Sequence, residues 1–164
     1  MGGSRLLPYH LKPNTPTVMP VTDSNCIFCK IVAGEAPASV VYEDESVLAL
    51  MNIRPIHPGE LMVIPKEHID HFCDVPDELA CRILVQAQRL SRNIRERLKP
   101  VRVGLVVHGF GVPHAHLVVV PLHESNDIVS SKHIRVEDGQ IKFGVGHLKD
   151  ESRGELDRLA RLLA

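Results

Sequence analysis

A chain of 164 residues has room for one domain of ordinary size, and 44% hydrophobic residues suffice for a core without disulfide support. Nineteen basic against twenty acidic side chains leave a net charge of −1. That excludes a global attraction to nucleic acid or to an anionic membrane, so a bound anion would have to be held by local groups.

No stretch is apolar for long enough to cross a bilayer. Residues 1–20 hold only Arg5 and Lys12 as positive charge, and Leu6-Leu7-Pro8 is too short for a signal-peptide core. The expectation is therefore a cytoplasmic protein whose four cysteines stay reduced. Pro8, Pro13, Pro16 and Pro20, with no apolar periodicity around them, make residues 1–23 a flexible N-terminal segment. A core is expected over residues 24–130, with a C-terminal hairpin and helix over 131–164 packed on the same domain.

In chain order, Val40-Val41-Tyr42 and Val47 to Met51 flank the acidic turn Glu43-Asp44-Glu45 and predict a hairpin. Leu61 to Ile64, opened by Pro58-Gly59 and closed by Pro65, predicts another strand. Leu79, Ile83, Leu84, Ala87, Leu90, Ile94 and Leu98 recur at helical spacing, which predicts a long helix between Asp77 and Leu98. Asp74 or Asp77 is available to cap it and Pro100 lies beyond its end. Strands are expected over Val101 to His108 and His114 to Pro121, with Gly109 to Pro113 between them. A second hairpin is expected where Ile134-Arg135-Val136 and Ile141-Lys142-Phe143 flank Glu137 to Gln140. Glu151 to Ala164 predicts a short amphipathic helix through Leu156, Leu159 and Leu163. The sum is an α+β fold with a mostly antiparallel sheet.

Two motifs carry chemistry. Cys26-Ile27-Phe28-Cys29 places two thiols three residues apart, a spacing that serves a metal ion, a redox disulfide or simply two structural thiols. No paired histidines follow at zinc-finger distance, and residues 20–25 make a poor strand for a thioredoxin-like motif. His114-Ala115-His116 heads the apolar run Leu117 to Pro121. Residues two apart in a strand face the same side, so the two imidazoles would be presented together beside a glycine-bearing loop. Cys73 and Cys81 read as packing residues. Arg89, Arg92, Arg95 and Arg97 read as a solvated helix face, and His57, His108 and His123 as surface or strand-end residues able to compensate for missing site groups.

Taken in succession, Cys26 to Ile31, Tyr42-Glu43-Asp44, Asn52 to Pro55, Pro58-Gly59, Val63 to His68 and Val112 to His116 resemble the histidine triad (HIT) family. The resemblance spans residues 26–121. It implies a HIT-like fold and a structural zinc held by Cys26, Cys29, His68 and His114. It implies His116 as the nucleophile that attacks the α-phosphorus of a nucleotide. It also implies a purine nucleotide slot formed by Ile27, Phe28, Leu50, Asn52 and Ile53 beside His114, and a homodimer. The activity implied is hydrolysis or transfer of a nucleotidyl group through a nucleotidyl-histidine; the alternative is a non-catalytic nucleotide-binding or zinc-stabilised interaction domain.

The sequence departs from the family pattern in ways that weaken the phosphate site. Val118 stands where the third histidine is usual, Asn52 replaces an aspartate, and Glu60 replaces a histidine. Phe110 and Gly111 replace a glutamine and a hydroxyl residue. Each lost hydrogen bond to developing phosphoryl charge costs about 3 kcal/mol of transition-state stabilisation. The related galactose-1-phosphate uridylyltransferases also lack the third histidine, but they carry a polar glutamine there.

Overall fold

A computed structural model describes residues 22–129, 133, 135–142 and 148–164. A short helix α1 (Ile27–Val32) precedes strands β1 (Val40–Glu43), β2 (Val47–Met51) and β3 (Leu61–Pro65). A 3-10 turn at Phe72–Asp74 leads into the long helix α2 (Asp77–Leu98). Strands β4 (Arg102–Val106) and β5 (Leu117–Leu122), a small hairpin of β6 (Arg135–Glu137) and β7 (Gln140–Lys142), and helix α3 (Arg153–Leu163) follow. The main sheet has the order β1-β2-β3-β5-β4, with every neighbouring pair antiparallel. This is the expected α+β architecture. Most of the lead expected over residues 1–23, and residues 134 and 143 of the second hairpin, lie outside the described residues.

The sheet is covered on both faces, which explains the unbroken apolar run of β2. Alternation sends Val47, Ala49 and Met51 to one side, where they meet Leu61, Val63, Leu117 and Val119. Onto that face α2 lays Ile83, Ala87, Leu90 and Ile94, the 3.6-residue stripe, and α3 adds Leu156, Leu159 and Leu163. The opposite face carries Leu48, Leu50 and Ile64, which pack against Cys26, Phe28 and Cys29 of the α1 segment.

Several local expectations are corrected. Neither Asp74 nor Asp77 caps α2. Pro76 holds that position without a side-chain cap, and Asp77 and Glu78 sit in the first turn, where acidic groups complement the helix dipole. The helix ends at Lys99 in the left-handed region, one residue before Pro100. The second hairpin turns tightly at Asp138 and Gly139, both at positive φ, which is the two-residue turn that matches strand twist. The strand expected from His114 starts only at Leu117, because Ala115 donates its N–H to Ile69 O rather than to a strand neighbour. Helix α1 was not expected, since Ile, Phe and Val favour strands when read alone.

Gly59 shows where the loop before β3 comes closest to α2. Its φ is +97°, and a Cβ there would collide with the side chain of Leu98. Gly59→Ala is therefore expected to destabilise the fold by about 1–3 kcal/mol, from a left-handed backbone and overpacking together. Urea denaturation of the variant beside the wild type measures it; an unchanged midpoint would show that the loop has room to shift.

Candidate functional site

Four side chains from distant points of the chain converge behind the sheet. Cys26 precedes α1 and Cys29 lies within it, while His68 follows β3 and His114 precedes β5. Their ligand atoms all lie within 4.8 Å of one another. Cys26 Sγ is 3.4 Å and Cys29 Sγ 3.7 Å from His114 Nδ1, and Cys29 Sγ is 3.3 Å from His68 Nδ1. Tetrahedral bonds of about 2.3 Å to sulfur and 2.0–2.1 Å to nitrogen place such atoms about 3.6 Å apart, so this donor set fits a zinc-sized ion. Three of the four residues are buried.

The surroundings orient the donors. His114 Nε2–H donates to Pro65 O at 2.9 Å, which leaves Nδ1 with the lone pair that faces the cysteines. Asp23 adds its backbone N–H to Cys29 Sγ, and its carboxylate lies 4.0 Å from His68 Nε2. Burial pushes the Cys29 thiol up, with Cys26 beside it adding to the effect, and pushes the His114 imidazole down.

His116 is buried two residues further on. Its Nδ1–H donates to His114 O at 2.7 Å, so the lone pair sits on Nε2. Phe28 packs its edge against both imidazoles, at centroid distances of 5.6 Å to His114 and 5.7 Å to His116. Leu50 lies behind Phe28 in the same apolar cluster. Ile27 and Ile53 remain 45% and 52% exposed. Val118 is buried in β5, between Met62 and Val106, and offers no hydrogen bond to anything above it.

Asn52 and Glu60 form a pair that the sequence did not disclose. Asn52 Nδ2 donates to Glu60 Oε1 at 2.5 Å, and Glu60 Oε2 accepts from Ile56 N at 2.8 Å. Asn52 Oδ1 accepts from Arg54 N. Burial pushes the Glu60 carboxyl up, against the opposing pull of the Ile56 N–H, the Asn52 amide, His57 and His108. Glu60 is thus turned inward as an anchor for Asn52 rather than left as a free anion at the mouth of the slot.

The three spare histidines have distinct places. His57 Nε2 lies 3.0 Å from Asp127 Oδ2, off the line of a good hydrogen bond, and packs against His123 at 4.9 Å. Asp127 is fully buried and accepts the backbone N–H of both His123 and Glu124. His108 stands beside His116, 6.3 Å between ring centroids and nearly perpendicular. His108 and His116 both line a cleft of about 230 Å3, which is walled by Asp70, His71, Phe72 and Cys73 on one side and Val107 and Gly109 on the other. Asp127 was missed because nothing near it in sequence marks a carboxylate for burial.

The site joins a buried Cys2His2 cluster to a histidine oriented by the backbone of one of its members, on an antiparallel α+β domain. The chain belongs to the HIT domain family, whose model matches residues 33–125. An uncharacterised HIT-like protein of Methanocaldococcus jannaschii is 35% identical over 71% of this chain and 89% of its own length. The crystal structure of a Zn-bound histidine triad family protein from Mycobacterium smegmatis is 32% identical with a TM-score of 0.63, covering 84% of this chain and 89% of that one. The adenylylsulfatase HINT3 of Arabidopsis thaliana is 26% identical over 68% of this chain and 59% of its own length. Among the described residues no helix is long and apolar enough to cross a membrane.

The buried Glu60 gives a pH prediction. Its folded-state carboxyl is raised, so its favourable contribution is complete below the unfolded value near 4.5 and is lost as pH rises through the folded value. Urea midpoints of wild type and Glu60→Gln, taken at pH 4.5 and pH 8, should shift relative to each other in favour of the glutamine variant as pH rises. Parallel midpoints at both pH values would contradict the burial effect.

Proposed function

We propose that this protein is a zinc-stabilised nucleotide-binding hydrolase or nucleotidyl transferase acting at the α-phosphate, with His116 as its nucleophile. The observation that carries this reading is the 2.7 Å bond from His116 Nδ1 to His114 O, which fixes the tautomer and leaves Nε2 to attack. The buried donor set of Cys26, Cys29, His68 and His114 supports zinc as the resident ion. Its role there is structural, tying the N-terminal segment to the strand approach that holds His116.

In this reading a purine nucleotide lies over Phe28 and Leu50, between Ile27 and Ile53, with the Asn52 amide toward the ribose. His116 Nε2 forms a bond to the α-phosphorus as the bond to the leaving group breaks with its electron pair. Water or another acceptor then attacks the phosphorus, and the nucleotidyl group leaves Nε2. We assign the protein to the cytoplasm and its assembly to a homodimer formed at β4. That strand is one of the two edges of the sheet and bears the exposed Leu105, with Val107 just beyond its end.

A specific observation favours a second reading, that of a binder without turnover. Val118 occupies the position two residues beyond His116 on the same side of β5 and donates nothing to a phosphate.

Turnover separates the two readings. On a fluorogenic adenosine phosphoramidate, His116→Ala should lower kcat/KM by about 10³-fold or more, while AMP binding persists by calorimetry. Val118→His should raise kcat. Binding of AMP with no turnover by the wild type, and none gained in Val118→His, would favour the binder.

The metal reading is tested separately. Protein purified without chelator should contain about one zinc per chain. Cys29→Ser should lower the Tm while retaining a folded circular-dichroism spectrum. Metal-free protein with an oxidised Cys26–Cys29 pair would overturn the assignment.

A further inference from the structure

The ring of His116 has two ring neighbours, Phe28 and His108. Phe28 meets it edge-on at 5.7 Å from the slot assigned to the nucleoside. His108 meets it edge-on at 6.3 Å from the cleft of about 230 Å3. None of Ile27, Phe28, Leu50, Asn52 and Ile53 lines that cleft, so His116 has the cleft on one side and the Phe28 cluster on another. A displacement at phosphorus needs such a division, because the group retained and the group expelled must occupy different places.

The cleft's chemistry restricts what it takes. Among the described residues no lysine or arginine lines it, and Asp70 brings negative charge. A leaving group that carries further phosphates would meet no fixed cation among them and one repelling carboxylate. Phe72 and Val107 supply apolar wall, while His71 and His108 supply polar ring nitrogens. His108 is exposed at the cleft and stacks on Phe110, itself 94% exposed, with ring planes 24° apart.

We propose that this cleft receives the leaving group, an amine or alcohol without phosphate, and that His108 is a further catalytic residue that gives the departing atom its proton. The inference rests on the reading of His116 as nucleophile. For an amine, the Nε2 lone pair of His116 forms the new bond to phosphorus and the phosphorus–nitrogen bond breaks toward the leaving nitrogen. That nitrogen takes the proton from a ring N–H of protonated His108. In the second half, water attacks the phosphorus, neutral His108 takes the water proton, and Nε2 recovers its electron pair as the nucleoside monophosphate leaves. The products are the amine and the monophosphate. His108 thereby supplies one proton-carrying imidazole to a site where Val118 supplies none.

The experiment varies the leaving group. Adenosine 5′-phosphoramidate of an alkylamine needs a proton on its departing nitrogen, whereas the p-nitrophenyl ester of AMP releases a phenolate that does not. His108→Ala should slow the alkylamine substrate about 10²-fold and the nitrophenyl ester less than about tenfold. The wild type should also cleave the phosphoramidate faster than diadenosine tetraphosphate. Equal loss on both substrates, no loss on either, or a preference for the tetraphosphate would overturn the proposal. His116→Ala run alongside keeps the two ideas apart. If it retains the rate, the nucleophile reading fails and the proposal with it; if it loses the rate while His108→Ala shows no selective loss, the proposal alone fails. No turnover of any of the three substrates by the wild type overturns both.

Discussion

The imidazole of His114 is fully buried, and its polar atoms tie together three parts of the chain. Nε2 donates to Pro65 O where the β3–β5 ladder stops, and Nδ1 faces both cysteines of the N-terminal segment. The backbone oxygen of the same residue receives the His116 ring. A buried ring nitrogen left without a partner is costly, so each of these bonds restricts the others. The tautomer of His114 decides which nitrogen meets the sulfurs, and its backbone position decides how His116 is aimed. The Cys2His2 cluster and His116 are in this sense one construction.

Around that construction the polar groups have been redistributed rather than removed. Glu60, which by sequence threatened to repel a phosphate, is satisfied internally by Asn52 and the Ile56 N–H. His57 is drawn toward the buried Asp127, away from a free surface role. His108 alone of the three spare histidines lies against the His116 ring. Val118 offers the strand no donor beyond His116, and the imidazole that does lie beside His116 comes from just past the end of the neighbouring strand.

Much of this was legible in the residues. The helical stripe of α2 and the two-faced run of β2 follow directly from apolar spacing, and the Cys26, Cys29, His68, His114 set followed from motif succession. What escaped depended on register and burial. Asn52 and Glu60 are eight residues apart and meet because the register sets Met51 opposite Leu61, which brings the two ends of the loop over 52–60 together. His108 and His116 meet across paired neighbours whose alignment fixes Val106 opposite Val118. Helix α1 ran against local propensity and was fixed by packing Phe28 and Cys29 under the sheet. Asp127 looked like any loop acid, and only the fold shows it taking two backbone N–H groups.

Cys26 and His114 are 88 residues apart in sequence, yet their ligand atoms touch. Closing so long a loop has an entropic cost that local contacts do not share, and contacts of this separation form late in folding. Between the two lie four strands and the long helix, so the cluster closes a loop that contains most of the sheet. A partly folded chain can therefore hold most of its helix and its first hairpin while the ring of His114 is still unanchored. Competence at this site therefore depends on segments drawn from most of the chain.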